Sequence, residues 1–288
     1  MEKETLKRIF DFLENIENKK NKNKGNLKWK LFFDEPLTKY DLIVKGNLNL
    51  SNFTSLTSLP NGLKVGGTLD LENCTSLTSL PEGLEIKGSL NLRNCTSLTS
   101  LPEGLKVGGS LYLFMCIHLT SLPEGLKVVG DMNLQYSTIT TLPEGLEVGG
   151  NLILDYSKIT SLPEGLKVGG SLDLRNCTSL TSLPNGLKVG DTLDLENCTS
   201  LTSLPEGLEV GGSLDLRNCT SLTSLPERLN VGGGLYLNNC TSLTSLPNGL
   251  KVGGFLNIKH TQLKNYTDAE IRRNKNLNNG SFKGNIIR

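Results

Sequence analysis

Leucines recur along most of this chain in a pattern that repeats from one stretch to the next. A representative stretch reads Leu69-Asp-Leu71-Glu-Asn-Cys74, followed by Leu77, Leu80 and Leu84. The alternation in Leu-x-Leu predicts a short strand with both leucines inward, and the later Leu-x-Val or Leu-x-Ile predicts a second extended segment. The Gly-Gly pair between them indicates a chain reversal. We expect its second glycine to have positive φ, since Asp191 replaces it in one copy.

The repeat length gives the architecture. A Leu-Pro pair recurs every 21 residues, or every 20 in the two steps that end at Pro143 and Pro163, at Pro60, Pro81, Pro102, Pro123, Pro143, Pro163, Pro184, Pro205, Pro226 and Pro247. No part of this unit has helical periodicity, and a unit this short buries its apolar side chains only by stacking on its neighbours. The sequence therefore predicts a β-solenoid over residues 46–263, with a parallel sheet of about ten or eleven short strands and no convex helices.

The two ends of a solenoid need caps, because the first and last coils expose their apolar edges. Residues 1–45 are predicted to form an N-terminal cap: a helix over residues 3–18, a basic loop, and a strand-like segment whose Trp29, Phe32 and Phe33 cover the first leucines. Residues 264–288 are predicted to form a C-terminal cap, with a short helix beginning at Thr267 and a closing strand in SFKGNIIR.

The pattern LxLxxCxxLxxLPxxL resembles the leucine-rich repeat, in a short form of 20–21 residues with a cysteine-containing LxLxxCxxL segment. The phrase LTSLPEGL is similar to repeats of bacterial secreted effectors. One departure from the family is Val-Gly-Gly in place of the usual leucine before the strand. The resemblance implies a binding scaffold, and it implies that the cysteine points inward and hydrogen-bonds the backbone of the next turn.

All seven cysteines occupy one position of the repeat, which Ser137 and Ser157 take in the two shorter copies: Cys74, Cys95, Cys116, Cys177, Cys198, Cys219 and Cys240. Disulfides and metal ligands are the alternatives, but side chains stacked in one column point in parallel, and cysteine and histidine do not cluster as ligand sets. We therefore expect a buried column of reduced thiols.

The strand positions between and after the leucines are expected to face solvent and to form columns when the coils stack. Most copies carry polar residues there, but three consecutive copies carry Tyr112, Phe114, Met115, Tyr136, Ile153 and Tyr156. Folding does not require this change, and an apolar patch about 10 Å long on an exposed sheet is typical of an interaction surface. We predict that these six residues bind a partner protein; the alternative is that the aromatics pack on one another and bind nothing.

Charged residues on the same strands have a structural interpretation. Glu72 with Arg93, and Arg175 with Glu196 and Arg217, are expected to pair across adjacent strands and support the register. Asp173, Asp194 and Asp215 stack like charges, which the diagonal arginines can compensate; a calcium ion or a basic partner is the alternative.

Composition excludes several classes of function. The net charge is +1 and the lysine clusters at the ends are short, so we expect no nucleic-acid partner. No apolar run could form a membrane span or a signal peptide, so we expect a cytoplasmic protein. Two histidines stand apart from any nucleophile, and no phosphate-binding or metal-ligating motif occurs, so we expect no catalysis, metal or cofactor.

The sequence therefore predicts a non-catalytic scaffold that binds a protein on the strand (concave) face of its central repeats. A bacterial effector, or a phage or viral protein acting on a host factor, would be of this kind. The alternative is a structural or self-associating rod.

Overall fold

Each repeat forms one coil with two strands of two residues each, and the coils stack in register. The computed structural model describes residues 26–265, 267 and 285–287. The predicted helix over residues 3–18, the basic loop and the predicted C-terminal helix lie outside the described residues, as do the side chains of Trp29 and Phe33. Within the described residues the predicted solenoid is confirmed, but it has two parallel sheets rather than one.

The second extended segment of each repeat forms a sheet of its own, here called the first sheet. Its 11 strands are Ile43–Val44, Lys64–Val65, Glu85–Ile86, Lys106–Val107, Lys127–Val128, Glu147–Val148, Lys167–Val168, Lys188–Val189, Glu209–Val210, Asn230–Val231 and Lys251–Val252. The first residue of each strand is mostly exposed and the Val or Ile is mostly buried. Lysine and glutamate side chains join neighbouring coils here, as in the 2.8 Å pair between Lys64 and Glu85.

The Leu-x-Leu segments form the second sheet. Its 12 strands are Leu48–Asn49, Leu69–Asp70, Leu90–Asn91, Leu111–Tyr112, Met132–Asn133, Leu152–Ile153, Leu172–Asp173, Leu193–Asp194, Leu214–Asp215, Leu235–Tyr236, Leu256–Asn257 and Ile286–Ile287. Equivalent residues of successive repeats are directly paired, so Tyr112 lies beside Asn133 and Asn133 beside Ile153. The predicted columns are therefore real neighbours on one surface.

The N-terminal end of the array differs from the prediction, and the C-terminal end agrees with it in the closing strand. Asn26–Phe33 is an α-helix rather than the predicted strand, and Leu27 is buried against the core while the ring of Phe32 lies 5.2 Å from that of Phe53. The helix covers the apolar edge of the first coil with Phe32, as expected. At the other end Gln262–Asn265 is a 3₁₀ helix, and the predicted closing strand is present, because Ile286–Ile287 pairs with Leu256–Asn257.

The glycines divide into two roles, and the expectation for the Gly-Gly pair was wrong. The glycine of Pro-x-Gly has positive φ in nine coils, from 63° to 77°, and Arg228 adopts φ 59° at that position in the tenth. The Gly-Gly pair instead approaches the preceding coil closely: a Cβ on Gly211 would lie 2.2 Å from the carbonyl oxygen of Gly190. Glycine is therefore favoured there for space rather than for backbone handedness, and Lys87, Val129 and Asp191 replace it in three coils.

The cysteine column is buried, as predicted, and all seven thiols are reduced. Each Sγ lies 2.9–3.2 Å from the carbonyl oxygen of a leucine in the preceding coil, as from Cys74 to Leu50. The family resemblance implied a bond to the next turn, so the direction is reversed. Burial raises the thiol pKa values, to about 11 for Cys74 and Cys177 and about 12 for Cys116 and Cys240.

Candidate functional site

One position of each coil, the residue before the cysteine column, has a left-handed backbone; Phe53 and Thr261 take the place of the cysteine in the first and last of these coils. In eleven successive coils this residue has φ between 56° and 63°, a conformation that asparagine tolerates and that bulkier side chains disfavour. We call this series the left-handed column: Asn52, Asn73, Asn94, Met115, Tyr136, Tyr156, Asn176, Asn197, Asn218, Asn239 and His260.

The asparagines of the left-handed column form hydrogen-bonded ladders on both sides of the central coils. Asn94 Nδ2 donates to Asn73 Oδ1 at 2.9 Å, and Asn218 Nδ2 donates to Asn197 Oδ1 at 2.8 Å. The C-terminal ladder ends on Asp155, whose Oδ1 accepts from Asn176 Nδ2 at 3.1 Å. Met115, Tyr136 and Tyr156 therefore interrupt an otherwise favourable arrangement in three consecutive coils.

The structure brings the six predicted residues together on one face. The rings of Phe114 and Tyr136 meet edge to face with centroids 5.6 Å apart, and those of Tyr136 and Tyr156 stack at 5.0 Å with 8° between their planes. Tyr112, Phe114 and Ile153 are half-buried, whereas Met115, Tyr136 and Tyr156 expose 39%, 43% and 49% of their surface. The exposed members are those at the left-handed positions.

Ile117 is a further apolar residue of this region that the sequence interpretation missed. It is 40% exposed and stands two residues after Met115, where Thr75 and Thr96 stand in the two preceding coils. The prediction followed only the strand columns and the residue before the cysteine, so a substitution just after the cysteine was not considered. We call Tyr112, Phe114, Met115, Ile117, Tyr136, Ile153 and Tyr156 the central patch.

Arg93 borders the central patch on its N-terminal side. Its guanidinium carbon lies 4.0 Å from the centroid of the Tyr112 ring, a cation–π contact. The expected pairing of Arg93 with Glu72 is wrong: no ion pair joins them among the described residues, and Glu72 Oε2 instead accepts from Asn91 Nδ2 at 3.2 Å. The guanidinium group of Arg93 thus covers one face of the Tyr112 ring, which is half-buried.

Carboxylates and arginines border the central patch on its C-terminal side. Arg217 pairs with Glu196 at 2.7 Å across adjacent strands, as predicted, and with Asp215 at 2.8 Å. Arg175 pairs with Asp173 at 2.6 Å and reaches Asp194 only at 3.6 Å. Burial, followed by repulsion from Asp215 and Asp173, raises the pKa of Asp194 to about 6.

The donor set on these coils does not fit a calcium ion. Oxygen atoms of Asp194, Glu196 and Asp215 lie within 4.8 Å of one another. Calcium takes six or more oxygen ligands, and Arg217 already binds two of these three carboxylates. The arginines therefore compensate Asp173 and Asp215 closely but reach Asp194 only at 3.6 Å.

No protein-family model matches the chain, and no curated protein matches its sequence. Of the helices in the described part of the chain, none combines the length and the apolar character that crossing a bilayer requires. The fold and the geometry of the central patch therefore carry the functional argument.

Proposed function

We propose that this chain is a non-catalytic scaffold of the leucine-rich-repeat type that binds a partner protein through the central patch. The observation that supports this most strongly is the exchange of asparagine for methionine and tyrosine at three successive left-handed positions. A left-handed backbone costs a non-glycine residue about 1–2 kcal/mol, and asparagine less. The backbone angle favours asparagine there, and the contacts among Phe114, Tyr136 and Tyr156 only offset that cost, so folding does not require the exchange and we attribute it to binding.

The composition and exposure of the central patch agree with this proposal. Tyrosine, phenylalanine and methionine are enriched at the cores of protein interfaces. Exposed apolar residues that lie side by side on successive coils, here in the turns that follow the strands of the second sheet, typically mark an interaction site. The stacked pair Tyr136–Tyr156 and the edge-on Phe114 also hold one another in place, so little side-chain entropy remains to be lost on binding.

We propose an intracellular site of action. Seven buried, reduced thiols suit a reducing compartment. A bacterial effector, or a phage or viral protein acting on a host factor, remains the class of protein we propose.

A variant that restores the asparagine ladder tests the proposal. The ladder-restoring variant carries Met115→Asn, Tyr136→Asn and Tyr156→Asn, and it replaces residues by the one that neighbouring coils use at the same backbone angle. It relieves three left-handed penalties of about 1 kcal/mol each but loses aromatic contacts of about 0.5–1.5 kcal/mol each. Its melting temperature should therefore stay within a few degrees of the wild type.

Capture from bacterial and host lysates, followed by quantitative mass spectrometry, supplies the readout. We expect one set of proteins to be captured by the full wild-type chain and lost with the ladder-restoring variant. Tyr40→Asn is the matched control, since Tyr40 is 76% exposed and lies outside the central patch; this variant should capture the same set. If the ladder-restoring variant captures that set as well as the wild type does, the central patch is not the binding site.

A further inference from the structure

The central patch continues directly into an acidic part of the same sheet. Ile153 is paired with Asp173, Asp173 with Asp194, and Asp194 with Asp215, so three coils of carboxylates follow the aromatic coils without a gap. Two positions after each of these four residues stand further charged residues: Asp155, Arg175, Glu196 and Arg217. Any chain laid across the strands from the central patch toward the C-terminal coils would cross these groups.

This acidic stripe has an uncompensated charge although the whole protein is nearly neutral. It comprises Asp155, Asp173, Asp194, Glu196 and Asp215, with Arg175 and Arg217 as its cations. Five carboxylates against two guanidinium groups leave a net charge of −3, whereas the chain as a whole carries +1. The stripe therefore attracts positive charge in a direction set by the fold.

Asp194 is the carboxylate of the stripe whose side-chain partners lie furthest away. Arg175 and Arg217 lie on the coils before and after it, and its own coil has no cation. The nearest guanidinium nitrogen of Arg175 is 3.6 Å away, whereas Asp173, Asp215 and Glu196 have arginine nitrogens at 2.6–2.8 Å. Asp155 is also 3.6 Å from Arg175, but its carboxylate accepts hydrogen bonds from the side chains of Gln135 and Asn176 at 3.0 and 3.1 Å. Burial, followed by repulsion from Asp215 and Asp173, raises the pKa of Asp194 to about 6.

We propose that the partner segment bound by the central patch is basic: an apolar or aromatic side chain lies on the patch and a lysine or arginine side chain lies over Asp194. The inference rests on the proposed function and specifies its ligand. Asp194 lies two strands beyond Ile153, which is about 10 Å along the solenoid axis. An extended segment advances about 3.3 Å per residue, so the basic residue falls about three positions from the apolar one.

The variant Asp194→Asn removes the charge and leaves the local fold intact. Asp194 Oδ1 accepts a hydrogen bond from the backbone N–H of Glu196 at 3.0 Å. Asn91 and Asn133 accept the equivalent bond in their own coils, so asparagine is already used at this position. Asp70→Asn is the matched control, because Asp70 occupies the same column two strands before Tyr112, on the other side of the central patch.

The probe is a displayed library of random twelve-residue peptides, selected on the immobilised full-length protein. The selected peptides are then titrated against four proteins: the wild type, the ladder-restoring variant, Asp194→Asn and Asp70→Asn. We expect peptides with an apolar residue and a lysine or arginine about three positions away. Their binding should be lost with the ladder-restoring variant, weakened about tenfold by Asp194→Asn because a charge-assisted hydrogen bond is removed, and unchanged by Asp70→Asn.

The results separate this inference from the proposed function. Peptides that need the central patch but bind Asp194→Asn as tightly as the wild type would overturn the basic ligand and leave the protein-binding function standing. Selection of no peptide that depends on the central patch would overturn both. A dimer seen by light scattering in the wild type and absent from the ladder-restoring variant would assign the surface to a second copy of this chain, and would also overturn the inference.

Discussion

Arg228 gives a direct test of the energetic argument on which the functional proposal depends. It occupies the Pro-x-Gly position with φ 59°, where nine other coils have glycine. If a left-handed backbone destabilises a large side chain in this solenoid, the substitution Arg228→Gly should raise the free energy of unfolding. The same reasoning applies to Met115, Tyr136 and Tyr156 in the left-handed column.

The expected magnitude follows from two opposing effects. Releasing the left-handed penalty stabilises the folded state by about 1–2 kcal/mol. Glycine also has more conformational freedom in the unfolded chain, which lowers the free energy of unfolding by about 0.5–1 kcal/mol. We therefore expect Arg228→Gly to stabilise the protein by about 0.5–1 kcal/mol, the difference of those two contributions.

Urea unfolding followed by circular dichroism measures this difference. Gly186→Ala is the reverse control, since a Cβ there would meet no atom within 4 Å and the change affects only the backbone angle. It should destabilise the protein by about 1 kcal/mol with an unchanged slope against urea concentration. An Arg228→Gly variant no more stable than the wild type would refute the reasoning, and with it the argument that the left-handed backbone favours asparagine over methionine and tyrosine in the central patch.

Three further predictions concern the core and the acidic stripe. The cysteines are buried and their thiol pKa values are raised, to about 11 for Cys74, so the thiols of the native protein should stay unmodified by a disulfide reagent at pH 8. In denaturant all seven should react. Rapid reaction of several thiols in the native protein would contradict the stacking of the coils. Ser137→Cys should raise the free energy of unfolding by about 1 kcal/mol in urea titrations, because Ser137 Oγ is buried without a hydrogen-bond partner; a loss of stability would show that the shorter coil cannot hold a thiol. The pKa of Asp194 is raised from 3.8 to about 6 on folding, so its contribution to stability is lost as pH rises through that range. Between pH 4 and pH 7 the free energy of unfolding, measured with urea, should therefore rise for Asp194→Asn relative to the wild type. If the free energies of the two proteins depend on pH in the same way, the raised pKa is contradicted.

The stacking of the coils could be predicted from the sequence because one spacing controls every apolar position. Leucines such as Leu71 and Leu77 are fully buried, and residues one repeat apart are paired in register. The second sheet was not predicted as such, because strands as short as Lys64–Val65 have too few residues for a clear alternation. Stacking, rather than local pattern, makes them a sheet.

The helix Asn26–Phe33 shows where local pattern misleads. Its sequence NLKWKLFF alternates like a strand over several residues, yet it folds as a helix that packs Leu27 and Phe32 on the first coil. Covering an apolar coil end is a tertiary requirement, and such requirements override weak local preference.

The members of the central patch could be named from the sequence, but the reason that they matter could not. Register alone placed Phe114, Tyr136 and Tyr156 on neighbouring coils. The left-handed backbone beneath Met115, Tyr136 and Tyr156 is a property of the folded turn, and the repeated asparagine was its only trace in the sequence. Ile117 could not be predicted as a member, because its position lies outside the strand and its 40% exposure follows only from the folded turn.

Oxidation of methionine tests the central claim most directly, because the chain contains its own control. Met115 is 39% exposed in the central patch, whereas Met132 lies on the next coil, paired with Leu111, and is fully buried. Dilute peroxide and mass spectrometry should show rapid conversion of Met115 to the sulfoxide and slow conversion of Met132 in the protein alone. With the captured partner bound, Met115 should become protected. Oxidation of Met115 at the same rate with and without that partner would contradict the claim that the central patch is the binding surface.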